Sequence, residues 1–221
     1  MFDESGDEPI AVIGMEGRFP GAGNIDELWE NILNGVDALR EVPPDRFDID
    51  QYYDPRPEKS GKIATRRGGF LEEIRRFDAS LFGISSREAS SMDPQHRILL
   101  EVVYHLFQDA AQPVDGLEGS DTGVYIGMIA NEYLDRVIDR GGPVDVYLAS
   151  GANRAAASGR ISHAFGLNGP SVTIDAACSS SLVTVDMACD ALRSGRCDMA
   201  IAGGANLVLA PESSVSVSSS G

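Results

Sequence analysis

The 221-residue sequence is 43% hydrophobic and 24% charged, enough apolar content to bury a sizeable core as one large domain or two small ones. Its 34 acidic and 18 basic residues give a formal net charge of −16, spread along the chain rather than gathered in a tail, which reads as a solvated acidic surface and argues against nucleic acid as a partner. Three cysteines, Cys178, Cys189 and Cys197, lack the CxxC spacing of a zinc or redox site, no stretch reaches the ~20 apolar residues of a membrane span, and the acidic N-terminus is not a signal peptide, so a soluble, cytoplasmic protein in a reducing compartment is expected.

Residues 1–8 read as a disordered tail and 9–221 as the folded part. Pro9 to Gly14 (PIAVIG) has the apolar, β-branched character of a buried strand. A helix follows, with Asp26 as its cap, Leu28, Trp29, Ile32 and Leu33 on one face, and Gly35 at a left-handed closing position. Residues 36–92, rich in Pro, Asp, Arg and Gly, predict an irregular excursion over the surface. Within it, Arg66, Arg67, Arg75 and Arg76 are the only candidates for a basic patch that could receive an acidic partner. Asp93 and Pro94 form a cap and first-turn pair, after which Ile98, Leu99, Val102, Val103, Leu106 and Phe107 recur at helical spacing and predict a core-facing helix.

Thr122 to Ile129 (TGVYIGMI) predicts a central strand, residues 145–165 a helix, and Ser171 to Asp175 (SVTID) a second strand. Beyond a turn at AACSSS, Leu182, Val185, Ala188, Cys189 and Leu192 keep a helical period until Gly195, and Met199 to Leu209 predicts a further strand. Strands alternating with helices predict an α/β layered fold. The ending in VSVSSSG, with no closing helix after that last strand, reads as a truncation.

The chemistry concentrates in SVTIDAACSSSL, residues 171–182, where a β-branched strand ends in small residues and a helix begins at or just after Cys178. Small residues on both sides permit a sharp strand-to-helix turn that lifts the thiol off the sheet, as in nucleophile elbows. There it faces unpaired backbone N–H groups and the positive end of the helix dipole, which favour the anionic sulfur and make covalent thioester chemistry plausible. A lone cysteine is more commonly a small buried hydrophobe, and Cys189 and Cys197 are read that way, one on the core face of a helix and the other in a turn.

DAACSSSL differs by one letter from DTACSSSL, the active-site signature of polyketide-synthase ketosynthases, and the resemblance extends along residues 8–213 through EPIAVIGMEGRFPGAGNIDELWENILNG, VPPDRFDIDQYYDP, RGGFLEEIRRFDASLFGISSREASSMDPQHRILLE, ASGRISHAFGLNGPSVTIDAACSSSL and MAIAGGANLVLAPE. The chain therefore resembles the N-terminal portion of a β-ketoacyl synthase domain of the modular, type I polyketide-synthase kind. The resemblance implies a thiolase-like layered α/β/α fold, of which these residues supply the N-terminal half, and a homodimer formed around the strand before the nucleophile. It implies an acyltransferase of polyketide or fatty-acid biosynthesis in which Cys178 carries the acyl chain as a thioester for decarboxylative condensation with a malonyl-type extender. It further implies that no cofactor is bound directly, that substrates arrive on the phosphopantetheine of an acyl carrier protein, and that the oxyanion hole uses the backbone N–H of Cys178 together with a donor from a later loop.

The family also needs two histidines, in His-Gly-Thr-Gly-Thr and Asn-Ile-Gly-His blocks, with a lysine between them, and neither block occurs here. His96, His105 and His163 stand at a helix start, within a helix and near a helix end, where none can inherit those roles. Full turnover by these residues alone is not expected, and an isolated half should expose apolar surface that the rest of the domain, in cis or in trans, would cover. The alternatives are a non-catalytic remnant or dimerisation module of the same fold, and a cysteine hydrolase, which explains the nucleophile but not the long ordered resemblance.

Overall fold

A computed structural model describes residues 8–56, 59–129 and 132–219, so all of the expected tail but Glu8 lies outside the described residues. Helix α1 (Ile25–Leu33) is capped by Asn24, whose Oδ1 accepts from the Glu27 N–H at 2.8 Å. Asp26, the expected cap, already lies inside the helix, whereas the residue before the first turn is the one whose side chain reaches the third helical amide. Gly35 closes α1 at φ +61°.

Residues 9–14 form no strand. The segment passes the C-terminal end of α3 (Pro94–Asp109), where the Met15 N–H donates to Asp109 Oδ2 at 2.8 Å, and Val12 and Ile13 stay exposed. An apolar β-branched run becomes a strand only when it pairs, and this segment pairs with none of the described strands. The 36–92 excursion is irregular as expected, interrupted by a two-residue antiparallel ladder of β1 (Arg40–Glu41) and β2 (Arg67–Gly68) and by the short α2 (Ser86–Ser91).

Helix α3 begins as its sequence dictates, with Pro94 in the first turn and Asp93 Oδ1 accepting from the Gln95 N–H at 2.8 Å. The central strand β3 (Thr122–Met128) is flanked by β4 (Ser171–Ile174) and β5 (Met199–Ala205) in a parallel sheet of order β4-β3-β5. Strand β5 ends at Ala205 rather than Leu209, because Ala205 pairs with Met128, the last residue of β3. Between β3 and β4 run α4 (Glu132–Asp139), α5 (Val146–Gly151) and α6 (Ala156–Phe165). The single helix expected over 145–165 is thus two. Gly151 lies so close to the backbone of Ser91 and Met92 that a Cβ there would stand 2.5 Å from the Ser91 oxygen, and the chain turns at that contact before α6 starts. Helix α7 (Ser180–Arg193) joins β4 to β5, and α8 (Glu212–Ser218) forms in the serine-rich stretch where no closing helix is expected from the sequence.

The alternation of β3 organises three layers. Val124, Ile126 and Met128 enter one core with Leu99, Leu100, Val103 and Phe107 of α3 and Ala157, Ile161 and Phe165 of α6. Tyr125 points the other way, into a smaller core with Ala188 and Ala191 of α7 and with Cys197. The apolar faces of α1 and α7 are not all covered: Trp29 is 58% and Leu182 74% exposed. Among the described residues no helix is long and apolar enough to cross a membrane.

Two titratable side chains are sealed at the start of α3. Asp93 and His96 are each 1% exposed, and neither ring nitrogen of His96 has a hydrogen-bond partner. Burial pushes the Asp93 carboxyl up to about 6 against the hydrogen bonds from Gln95, and burial together with the charge of Arg160 pulls His96 down to about 4. The two act with opposite sign. The buried carboxylate costs stability above about pH 6 and that cost is relieved as the pH falls toward 4, whereas the cost of protonating His96 begins below its ordinary range and is complete near pH 4. Each displacement is worth roughly 3 kcal/mol when complete. Between pH 7 and pH 4, Asp93→Asn is therefore expected to lose up to about 3 kcal/mol of urea-unfolding stability relative to the unsubstituted chain, and His96→Gln to gain a similar amount.

Candidate active site

Cys178 is exposed and stands between the end of β4 and the start of α7, two residues before the first helical residue. The turn is tight. Ala177 adopts φ +52°, a left-handed conformation that costs a residue with a Cβ about 1–2 kcal/mol. Four side-chain hydrogen bonds hold it: Asp175 Oδ1 accepts from the Ala177 N–H at 3.1 Å, Ser180 Oγ accepts from the Ala176 N–H at 2.9 Å and donates to the Ala177 carbonyl at 2.6 Å, and Ser179 Oγ donates to the Ala176 carbonyl at 2.7 Å. Ser179 turns its hydroxyl back into the turn, so no side chain caps the first turn of α7, where the Ser180 N–H donates instead to the Ala177 carbonyl at 3.0 Å.

The position of this helix start is set from below by two strand glycines. A Cβ on Gly127 of β3 would lie 2.8 Å from both the carbonyl carbon and the Cβ of Ser180, and one on Gly204 of β5 would lie 3.2 Å from Ser181 Cβ. A glycine inside an otherwise apolar strand marks such a close approach, and TGVYIGMI and MAIAGGANL carry that signal. On the flank of the turn, Arg154 Nη1 donates to Asp175 Oδ2 at 2.8 Å and to the Ile129 carbonyl at 2.9 Å, a contact that no spacing in the sequence announces.

The other sequence-derived candidates lie apart from this turn. Cys189 is half-buried and Cys197 buried, with its thiol pushed up by burial, so both behave as small hydrophobes. His96 is sealed in the core, His105 is exposed with its Nδ1 3.2 Å from Gln108 Oε1, and His163 is exposed in the last turn of α6. Among the described residues no hydrogen bond joins Cys178 to a histidine, and no group of residues could hold a metal ion. The four arginines of the possible basic patch are all paired: Arg66 with Glu41 and Asp50, Arg67 with Asp37, Arg75 with Asp45 and Arg76 with Glu73. All four remain open to water within these pairs.

The family model described as beta-ketoacyl synthase, N-terminal domain, matches residues 7–221. A phenolphthiocerol/phthiocerol polyketide synthase of Mycobacterium bovis is 46% identical over 214 residues, which cover 96% of this chain and 12% of that protein. Erythronolide synthase EryA3 of Saccharopolyspora erythraea is 46% identical over 209 residues, covering 93% of this chain and 6% of that protein. Among solved structures, the oxazolomycin ketosynthase domain OzmH KS7 of Streptomyces albus matches with a TM-score of 0.87 at 35% identity over 95% of this chain and 36% of its own. The ketosynthase from module 6 of the bacillaene synthase of Bacillus subtilis matches with a TM-score of 0.84 at 40% identity over 96% of this chain and 34% of its own. The chain thus spans about a third of those solved chains and a far smaller share of the curated relatives, and its three layers are those of a thiolase-like ketosynthase fold.

Two outcomes follow from the packing. Gly127→Ala drives a Cβ into helix backbone that cannot yield and is expected to cost about 1–3 kcal/mol in urea unfolding, with Gly204→Ala, whose tighter contacts are at 3.0–3.2 Å, costing less. Iodoacetamide followed by peptide mass analysis is expected to label Cys178 first, Cys189 later and Cys197 last, in the order of their exposure.

Proposed function

The chain belongs to the β-ketoacyl synthase family, and we propose that its part in the chemistry is to hold an acyl chain as a thioester on Cys178 Sγ for decarboxylative condensation with a malonyl-type extender. The observation that carries this reading is the exposed thiol on a strained turn between β4 and α7, beside helix N–H groups that no side chain caps. In the loading step the Cys178 sulfur, as its anion, attacks the carbonyl carbon of an acyl thioester. A C–S bond to Cys178 forms, the C–S bond to the donor breaks, and the donor leaves as a thiolate that takes up the proton released from Cys178.

The Cys178 N–H, together with a donor from a later loop of the domain, favours the negative oxygen that develops at the carbonyl. The donor is the phosphopantetheine thioester of an acyl carrier protein or coenzyme A. Strand β4, at the outer edge of the sheet, has the open backbone edge that a homodimer around this strand requires. The cysteine-hydrolase reading lacks support, since His96 is sealed and neither His105 nor His163 is hydrogen-bonded to the thiol.

Incubation with an acyl-coenzyme A and intact-mass analysis is expected to reveal one acyl adduct that is absent from Cys178→Ala. An adduct that persists in Cys178→Ala, or no adduct on a chain that circular dichroism confirms to be folded, would overturn loading on this cysteine.

A further inference from the structure

Arg154 lies between α5 and α6, outside the motif that carries Cys178, yet it joins two elements at the mouth of the turn. One nitrogen, Nη1, donates at 2.9 Å to the carbonyl of Ile129, just beyond the end of β3, and at 2.8 Å to Asp175 Oδ2, just beyond the end of β4. The opposite oxygen of the same carboxylate, Oδ1, accepts from the N–H of Ala177 at 3.1 Å. Ala177 is the left-handed residue immediately before the nucleophile. A continuous chain of contacts therefore runs from Arg154 through Asp175 to the backbone that aims Cys178.

The energetics separate the two functions such a contact could serve. The Arg154 and Asp175 side chains are 47% and 35% exposed, and ion pairs so open to water contribute little to global stability. Their geometry, however, fixes which way the carboxylate faces. Without the cation, Asp175 is free to turn its oxygens to solvent and release the Ala177 N–H, and its charge stands uncompensated three residues from a sulfur that must attack as an anion. We propose that Arg154 is a positioning residue for Cys178, acting through Asp175, and that it sets the reactivity of the thiol rather than the stability of the fold. This rests on the reading of Cys178 as the nucleophile.

The test uses iodoacetamide on the full chain, with the second-order alkylation rate of each cysteine read by peptide mass analysis, so that its result does not depend on whether an acyl donor loads. Arg154→Met is expected to slow Cys178 by roughly 3- to 10-fold, about the value of one lost hydrogen bond, while Cys189 and Cys197 keep their rates and Tm moves by less than about 4 °C. Arg154→Lys, which keeps a cation with donors on one nitrogen, restores at least half of the loss. Asp175→Asn, which presents an amide N–H₂ or loses an acceptor toward Arg154, slows Cys178 to a similar degree, and adding Arg154→Met to it changes little further. The proposal is overturned if Arg154→Met leaves Cys178 within 2-fold of the unsubstituted rate, if Cys189 and Cys197 accelerate in parallel as the fold loosens, or if the two substitutions multiply. Failure of acyl loading on a chain that gives the expected alkylation pattern would count against the thioester reading and leave the role of Arg154 standing.

Discussion

The first turn of α7 rests on bare backbone. A methyl group on Gly127 would stand 2.8 Å from Ser180, and the neighbouring strand offers Gly204 at nearly the same height, so the helix sits closer to the sheet than side chains on those strands would allow. Everything at the site follows from that depth. Strand β4 ends beside β3, the helix must start almost at sheet level, and only the residues from Asp175 to Ser179 are left to reverse the chain. A connection so short admits no relaxed path, and Ala177 takes the left-handed conformation as a consequence.

The same sheet supports the site from its opposite face. Val124, Ile126 and Met128 pack under α3 and α6, so the strand that carries Gly127 is anchored by the largest core in the molecule. The helix that supplies much of that core, α3, carries the buried Asp93 and His96 at its start. The Asp93 side chain caps the helix, its backbone N–H donates to the Gly151 carbonyl at 2.9 Å, and Gln95 Oε1 accepts from the Leu207 N–H at 3.2 Å beyond β5. Polar groups at this depth are costly unless partnered. Here the partnered ones tie the start of α3 to the end of α5 and to the segment after β5, and His96, without a partner, stays neutral.

Much of this is legible in the sequence, for identifiable reasons. Helix α3, strands β3 and β4 and helix α7 are readable because their apolar positions recur at a clean period and their ends carry strong signals, Asp93-Pro94 at one and Gly195 at φ +67° at another. The turn at Cys178 is readable from its small residues. Expectation and structure differ where local pattern and tertiary context part. PIAVIG has strand character but pairs with none of the described strands, 145–165 has helical character but meets Ser91 at Gly151, and VSVSSS has weak helical propensity yet forms α8, with Ser213 Oγ donating to Glu132 Oε1 at 2.6 Å. Arg154 cannot be found at all from spacing, because its partners are 25 and 21 residues away and no periodicity relates them.

The serines that follow Cys178 acquire a physical meaning from this geometry. A left-handed alanine costs about 1–2 kcal/mol, and glycine would remove that strain at the expense of a floppier unfolded and folded chain. The turn keeps alanine and offsets the cost with hydrogen bonds of about 1 kcal/mol each. Ser179 and Ser180 send their hydroxyls back to the carbonyls of Ala176 and Ala177, and Ser180 also receives the Ala176 N–H. A serine in these places satisfies groups that a sharp turn would strand, and it does so from inside the bend, leaving the outer face to the sulfur. Ser179 could instead have capped α7 from its N-terminal position, the usual use of serine there. By bonding backward it stiffens the turn and leaves the first turn of α7 without a side-chain cap. The same hydroxyl cannot do both.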